Sequence, residues 1–152
     1  MRKAIFVLAA TVVCAVVFGC GTPMPNTYNV GIAYSPEPVP SDKATIYIFH
    51  RASAVAAPCF VHENTAKIGV IKSGTYFVRH VLPGSYEYMA TNDSHIKSPI
   101  QIRAEAGKEY FLEVTQQSDF LMAHPYLNVV GKEQAESILP TLKRISYTPK
   151  SQ

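Results

Sequence analysis

From residue 44 onward, β-branched and aromatic side chains recur with a period of two, and turn-forming residues interrupt them about every eight to twelve positions. A period of two sends alternate side chains to opposite faces of an extended backbone, so the segment is restricted to strands with at least one buried face. Strands of this length and spacing predict an all-β sandwich or barrel. The expectation is a single antiparallel β-sandwich over residues 44–145, closed by a short C-terminal helix and followed by a tail over 146–152. Strands are expected at 45–50, 59–63, 67–71, 75–81, 85–90, 99–104, 109–115 and 126–130. The first of them, Thr45-Ile46-Tyr47-Ile48-Phe49-His50, is apolar on both faces and therefore belongs at the centre of a sheet. Glu63-Asn64-Thr65-Ala66, Lys72-Ser73-Gly74, Pro83-Gly84 and Ala106-Gly107-Lys108 supply the turns between strands. Ala135, Ile138, Leu139 and Leu142 recur at helical spacing, and Pro140 ends or kinks that helix.

The N-terminus has a different character. Arg2 and Lys3 form a positive head, and residues 4–18 are an uncharged apolar run, the layout of a secretory signal peptide over 1–19. As a helix, fifteen residues span about 22 Å, short of the roughly 30 Å hydrocarbon core, which disfavours a permanent transmembrane helix. Val17-Phe18-Gly19-Cys20 resembles the lipobox of bacterial lipoproteins, with Phe18 bulkier than usual at its most permissive position. The resemblance implies cleavage before Cys20 and attachment of diacylglycerol to its sulfur, often with acylation (such as palmitate) of the new amino group. Such an anchor is stable, since each buried CH₂ contributes about 0.8 kcal/mol and two or three chains are attached. Gly21 replaces the Asp that retains enterobacterial lipoproteins at the inner membrane, so the expected address is the outer membrane, facing the periplasm.

Once the signal leaves, Cys14 leaves with it and Cys20 becomes a thioether. Cys59 is then the single free thiol, and its apolar neighbours Pro58, Phe60 and Val61 mark it as a small core residue. Removal of Arg2 and Lys3 also leaves twelve basic residues against eleven acidic ones. So nearly neutral a chain has no basic field for a phosphate backbone, and no nucleic-acid partner is expected. Residues 20–43 carry Pro23, Pro25, Pro36, Pro38 and Pro40 and are expected to be a lipidated linker reaching at most about 75 Å. Val30, Ile32 and Tyr34 alternate, which leaves an edge strand as the other reading.

Candidate chemistry is sparse. His50, His62, His80, His95 and His124 are separated by 12, 18, 15 and 29 positions, none of which is a chelating spacing on one strand or one helix. No metal and no cofactor are expected. Glu105, Glu109 and Glu113 fall around a turn and on the polar side of its strand, which reads as a solvated face. An enzyme would require His50, His62 or His80 to converge with Cys59 or Glu63 in a pocket. Tyr47, Tyr76, Tyr86, Tyr88 and Tyr110 either fill the core or line a sugar-stacking face. Phe120-Leu121-Met122 lie consecutively between turn-like neighbours; as a loop they would be an interaction surface, and as a strand they would join the core.

The strand beginning Ala44-Thr45-Ile46-Tyr47, the pieces Gly74-Thr75-Tyr76-Phe77 and Leu82-Pro83-Gly84-Ser85-Tyr86, and Ala106-Gly107-Lys108-Glu109-Tyr110-Phe111 occur in that order. Over about residues 43–142 the chain resembles the bacterial lipoprotein family catalogued as domain of unknown function 2846. The Pro-Gly-x-Tyr and Ala-Gly-Lys-x-Tyr pieces also resemble turns of transthyretin-like and peptidase-regulatory-like sandwiches. The resemblance implies a β-sandwich and supplies no catalytic residues. The chain departs from the family pattern in being basic rather than acidic near Lys143-Arg144. The functional expectation is therefore a lipid-anchored, non-catalytic binding or assembly module whose partner is an envelope protein or glycan.

Overall fold

The computed structural model describes residues 29–54, 56–92, 95–96, 99–118 and 123–146. Cys20 and the Phe120, Leu121, Met122 segment lie outside the described residues. Among the described residues the chain forms β1 (Asn29–Ala33), β2 (Ala44–His50), β3 (Cys59–Glu63), β4 (Ala66–Ile71), β5 (Thr75–Val81), β6 (Gly84–Asn92), β7 (His95–Ile96), β8 (Ile100–Ala104), β9 (Glu109–Ser118), β10 (Ala123–Val130), α1 (Lys132–Ile138), a 3₁₀ turn (Leu139–Thr141) and β11 (Lys143–Ser146). They form a six-stranded sheet in the order β1-β11-β5-β2-β9-β10 and a second sheet, β4-β3-β6, with β7 and β8 both paired to β6.

The expected central strand is central. All seven residues of β2 are buried, because both faces of the larger sheet are covered. Ala44, Ile46 and Ile48 point between the sheets and meet Val61, Tyr88, Ala90, Leu112 and Val114 in the main core. Tyr47 and Phe49 point the other way, where Ala135, Leu139 and Leu142 close over them with Tyr76 and Phe111. Tyr47 stacks on Phe111 with ring centroids 5.0 Å apart, and Tyr34 meets Tyr47 and Tyr76 edge-on at 6.3 and 5.9 Å. The apolar spacing of the C-terminal helix thus covers a second core, and Pro140 falls where α1 tightens into its 3₁₀ turn.

The turns follow their residue types. Gly74 and Gly107 take φ of 73° and 71°, and Asn64 takes 54° in the β3–β4 hairpin, values that an L-residue with a Cβ adopts at a cost. Two tyrosines explain why the turn motifs carry one. The Tyr86 hydroxyl donates to the Leu82 carbonyl at 2.9 Å, and the Tyr110 hydroxyl donates to the Arg103 carbonyl at 2.8 Å while accepting from the Glu105 amide at 3.1 Å. Each ring packs against the main core and its hydroxyl pins a neighbouring backbone segment.

Three features differ from the sequence expectation. First, the larger sheet is mixed: β2 pairs with β9 and β11 pairs with β5 in parallel, whereas every pairing in the second sheet is antiparallel. A period of two is the same in both arrangements, so the pattern carries no direction. Second, residues 29–33 are not linker; β1 pairs antiparallel with β11, Val30 opposite Ile145. The Pro-rich stretch after it is also bound to the domain, for Glu37 forms an ion pair with Arg144 and lies 3.4 Å from His80 Nε2. Third, Glu113 is not solvated. Phe111 and Glu113 share the face covered by the helix layer, and Glu113 is 6% exposed.

Candidate functional site at one end of the sandwich

β2 ends at His50 beside Val114 of β9, and the chain then leaves the sheet until β3 begins at Cys59. That connection is held against the β4–β5 turn. The Ser53 amide donates to Ser73 Oγ at 2.6 Å, Ser73 Oγ donates to the Ser53 carbonyl at 2.9 Å, and the Gly74 amide donates to the His50 carbonyl at 3.0 Å. Gln116 fixes the far end of the connection, with Oε1 accepting from the Ala57 amide at 3.2 Å and Nε2 donating to the Ala57 carbonyl at 2.6 Å.

His50 continues the inward series of β2 and is 4% exposed. Its Nδ1 lies 2.7 Å from the Arg51 carbonyl oxygen. A carbonyl can only accept, so Nδ1 carries a proton and donates to it. Nε2 is buried and has no hydrogen-bond partner among the described residues. Arg51 points to the opposite face and grips Glu113 through two bonds, Nε to Oε1 at 2.5 Å and Nη2 to Oε2 at 3.2 Å. This forked pairing gives the buried carboxylate a partner, which an isolated buried charge would lack. A cavity of about 240 Å³ opens here, lined by His50, Arg51, Ser53, Ala56, Glu113 and Gln116 among others.

Cys59 is a buried core residue, as its neighbours predict. Its sulfur is 2.7 Å from Gln116 Nε2 and 3.5 Å from the Ala57 carbonyl. Burial pushes the thiol pKa up, against a smaller opposing pull from the Gln116 bond, which disfavours the nucleophilic thiolate. His62 and His80 have partners of their own. His62 Nε2 is 3.1 Å from Thr91 Oγ1, His80 Nδ1 is 3.1 Å from Thr45 Oγ1, and Glu63 is held by Arg79 at 3.0 Å and by the buried Tyr88 hydroxyl at 2.8 Å. No group of three or more His, Cys, Asp or Glu able to hold a metal is present among the described residues. Tyr47, Tyr76 and Tyr88 are buried, and Tyr86 and Tyr110 pack against the main core, so these five rings do not form an exposed stacking row.

Of the three acidic residues read as one solvated face, only Glu105 is exposed; Glu109 is half-buried and pairs with Lys132 at 2.5 Å. Arg51 and Gln116 carried no sequence signal of their own. The available clue was indirect: a neighbour of a strand buried on both faces must itself be covered, which places Glu113 inside and calls for a cation.

His62 gives a pH test of the sandwich. Burial, reinforced by nearby Lys67, lowers its pKa from the usual 6.5. The unfolded chain therefore takes up this proton at a higher pH than the folded one, and stability is lost as pH falls below 6.5 through the folded pKa. Glutamine preserves a donor for Thr91 without titrating. In His62→Gln the melting temperature should fall less steeply than wild type below that pH, and parallel curves would contradict the assignment.

A family model described as protein of unknown function (DUF2846) matches residues 40–125. The chain belongs to this family. The DUF2846 span runs from the approach to β2 into the first residues of β10, so both walls of the His50 cavity lie within it, while β1, α1 and β11 lie outside. Neither the curated proteins nor the solved structures give a match to the chain.

Proposed function

We propose that this DUF2846 chain is a lipid-anchored envelope lipoprotein, tethered through Cys20 to the outer membrane on its periplasmic side and acting as a non-catalytic binding or assembly module. The observation that carries this reading is the order of its N-terminus: positive head, apolar run, Val17-Phe18-Gly19-Cys20, then a domain whose first strand begins at Asn29. No helix among the described residues is long and apolar enough to cross a membrane. Residues 21–28 separate Cys20 from β1 and span at most about 30 Å when fully extended. The domain is then held close to the lipid headgroups, within less than half the reach expected of a linker running to residue 43.

Lack of catalysis is supported by how the reactive side chains are engaged. Cys59 is bound to Gln116, His62 to Thr91 and His80 to Thr45. Intact mass spectrometry of the protein extracted from membranes tests the anchor. A polypeptide beginning at Cys20 with a diacylglyceryl group, with or without an added N-acyl chain, is expected. A polypeptide retaining Met1, or one beginning at Cys20 without lipid, would contradict it.

A further inference from the structure

We infer that the cleft where β4, β5 and β11 part binds a small carboxylate carrying an apolar chain, as a short fatty acid does, and holds its head through Arg79 and Arg144. The inference goes beyond the binding role proposed above, because the site and its ligand stand without the lipid anchor. The cleft is a product of the topology. β4 belongs to the second sheet and β5 to the larger one. The Phe77 ring fills the gap between them further in, for a Cβ on Gly69 would lie 3.1 Å from that ring. β11 pairs with β5 only at Lys143 and Arg144, and Ile145 and Ser146 continue beside β1. A cavity of about 420 Å³ opens there, lined by Ile68 of β4, Phe77 and Arg79 of β5, and Arg144 and Ile145 of β11 among others. That volume falls within the roughly 300–1,000 Å³ of small-molecule sites.

The lining sets the class of ligand. Ile68, Phe77 and Ile145 supply apolar wall, against which a hydrocarbon chain is removed from water. The charged residues on that wall are Lys67, Arg79 and Arg144 against Glu63. Glu63 is already engaged, accepting from Arg79 Nη2 at 3.0 Å and from the Tyr88 hydroxyl at 2.8 Å, so a cationic ligand would have to compete for it. The guanidinium groups are not exhausted. Arg79 meets Glu63 through Nε and Nη2, which leaves Nη1 without a protein acceptor among the described residues, and Arg144 gives Nη1 to Glu37, which leaves Nε and Nη2. Both side chains are open to solvent, at 40% and 38% exposure, so a ligand can reach them. A carboxylate fits a guanidinium edge through two parallel N–H···O bonds. Because each arginine already shares a carboxylate, a singly charged head is favoured over a phosphate dianion.

The test titrates the full protein, extracted from membranes in nonionic detergent and labelled with ¹³C at the isoleucine δ1 methyls, with hexanoate, 1-hexanol and hexylammonium in turn. Ile68→Val and Ile145→Val assign the two cavity methyls by the loss of their signals. Hexanoate is expected to shift both resonances saturably, with 1-hexanol at least about ten-fold weaker because it lacks the charge-assisted bonds, and hexylammonium without effect. Arg144→Gln should weaken hexanoate binding about two- to five-fold and leave the 1-hexanol response unchanged, its melting temperature showing that it folds. Equal responses to hexanoate and 1-hexanol would mean unselective partition into an apolar gap or the micelle, and would overturn the inference. So would a hexanoate response that never saturates, one that moves other methyls but not those of Ile68 and Ile145, or a folded Arg144→Gln that binds hexanoate as wild type does. The wild-type comparison decides even where Arg144→Gln fails to fold, and none of these outcomes depends on whether an envelope component is captured in cells.

Discussion

Replacing Phe49 with alanine is expected to destabilise the protein by about 3–5 kcal/mol, the usual cost of emptying a buried phenylalanine site. Against a typical total of about 5–15 kcal/mol that is a large fraction, and it corresponds to a fall in melting temperature of about 10–20 °C for a domain of this size. The magnitude follows from position. Phe49 is fully buried on the central strand, lies between Tyr76 and Glu113 in the register of its two neighbours, and is covered by the layer that includes Ala135 and Leu139. Neither the sheet below nor the helix layer above can collapse into the void without moving the other. Val129→Ala serves as the control, because Val129 is 58% exposed and its truncation should cost no more than about 0.5 kcal/mol. Equal, small effects for both variants would show that the helix layer is not packed on the larger sheet in solution.

Cys20→Ser is expected to abolish lipid attachment outright. Lipid attachment needs the sulfur, since a serine hydroxyl is a far poorer nucleophile toward the diacylglyceryl donor, and lipoprotein signal peptidase acts on the modified precursor. The variant should therefore accumulate with its signal segment uncleaved and without incorporation of a labelled acyl chain. Its folded domain should be unaffected, because β1 begins nine residues further on and Cys20 lies outside it. The melting temperature of the domain thus distinguishes loss of the anchor from loss of the fold. Labelled acyl chain on the serine variant would defeat the assignment of Cys20.

How much of this was legible beforehand can be judged from single elements. β2 announced its central place because a strand covered on both faces has no polar face to show. Cys59 and the turns at Asn64, Gly74 and Gly107 were legible because the constraint on each is local, apolar flanks in one case and backbone conformation in the others. β1 was legible only as the alternative to a linker, and β11 was not. Their partners lie at opposite ends of the described chain, Asn29 opposite Ser146, and Lys143-Arg144-Ile145-Ser146 has too few apolar residues to display a period. The Arg51–Glu113 pair was hidden for a related reason: each charge alone resembles a solvated surface residue, and only the parallel pairing of β2 with β9 brings them together. The buried Nε2 of His50 is a further step removed, since its lack of a partner among the described residues depends on tertiary packing alone.

The claim that this domain is a binding module is tested most directly by crosslinking it in living cells, in its lipidated form, and identifying the products by mass spectrometry. Wild type is compared with Phe120→Ser, which alters the apolar segment joining β9 to β10, and the variant's melting temperature confirms that it folds. A specific envelope component captured by wild type and lost from the folded variant is the expected result. Capture of no specific component by either protein, with the lipid anchor verified, would contradict the binding role.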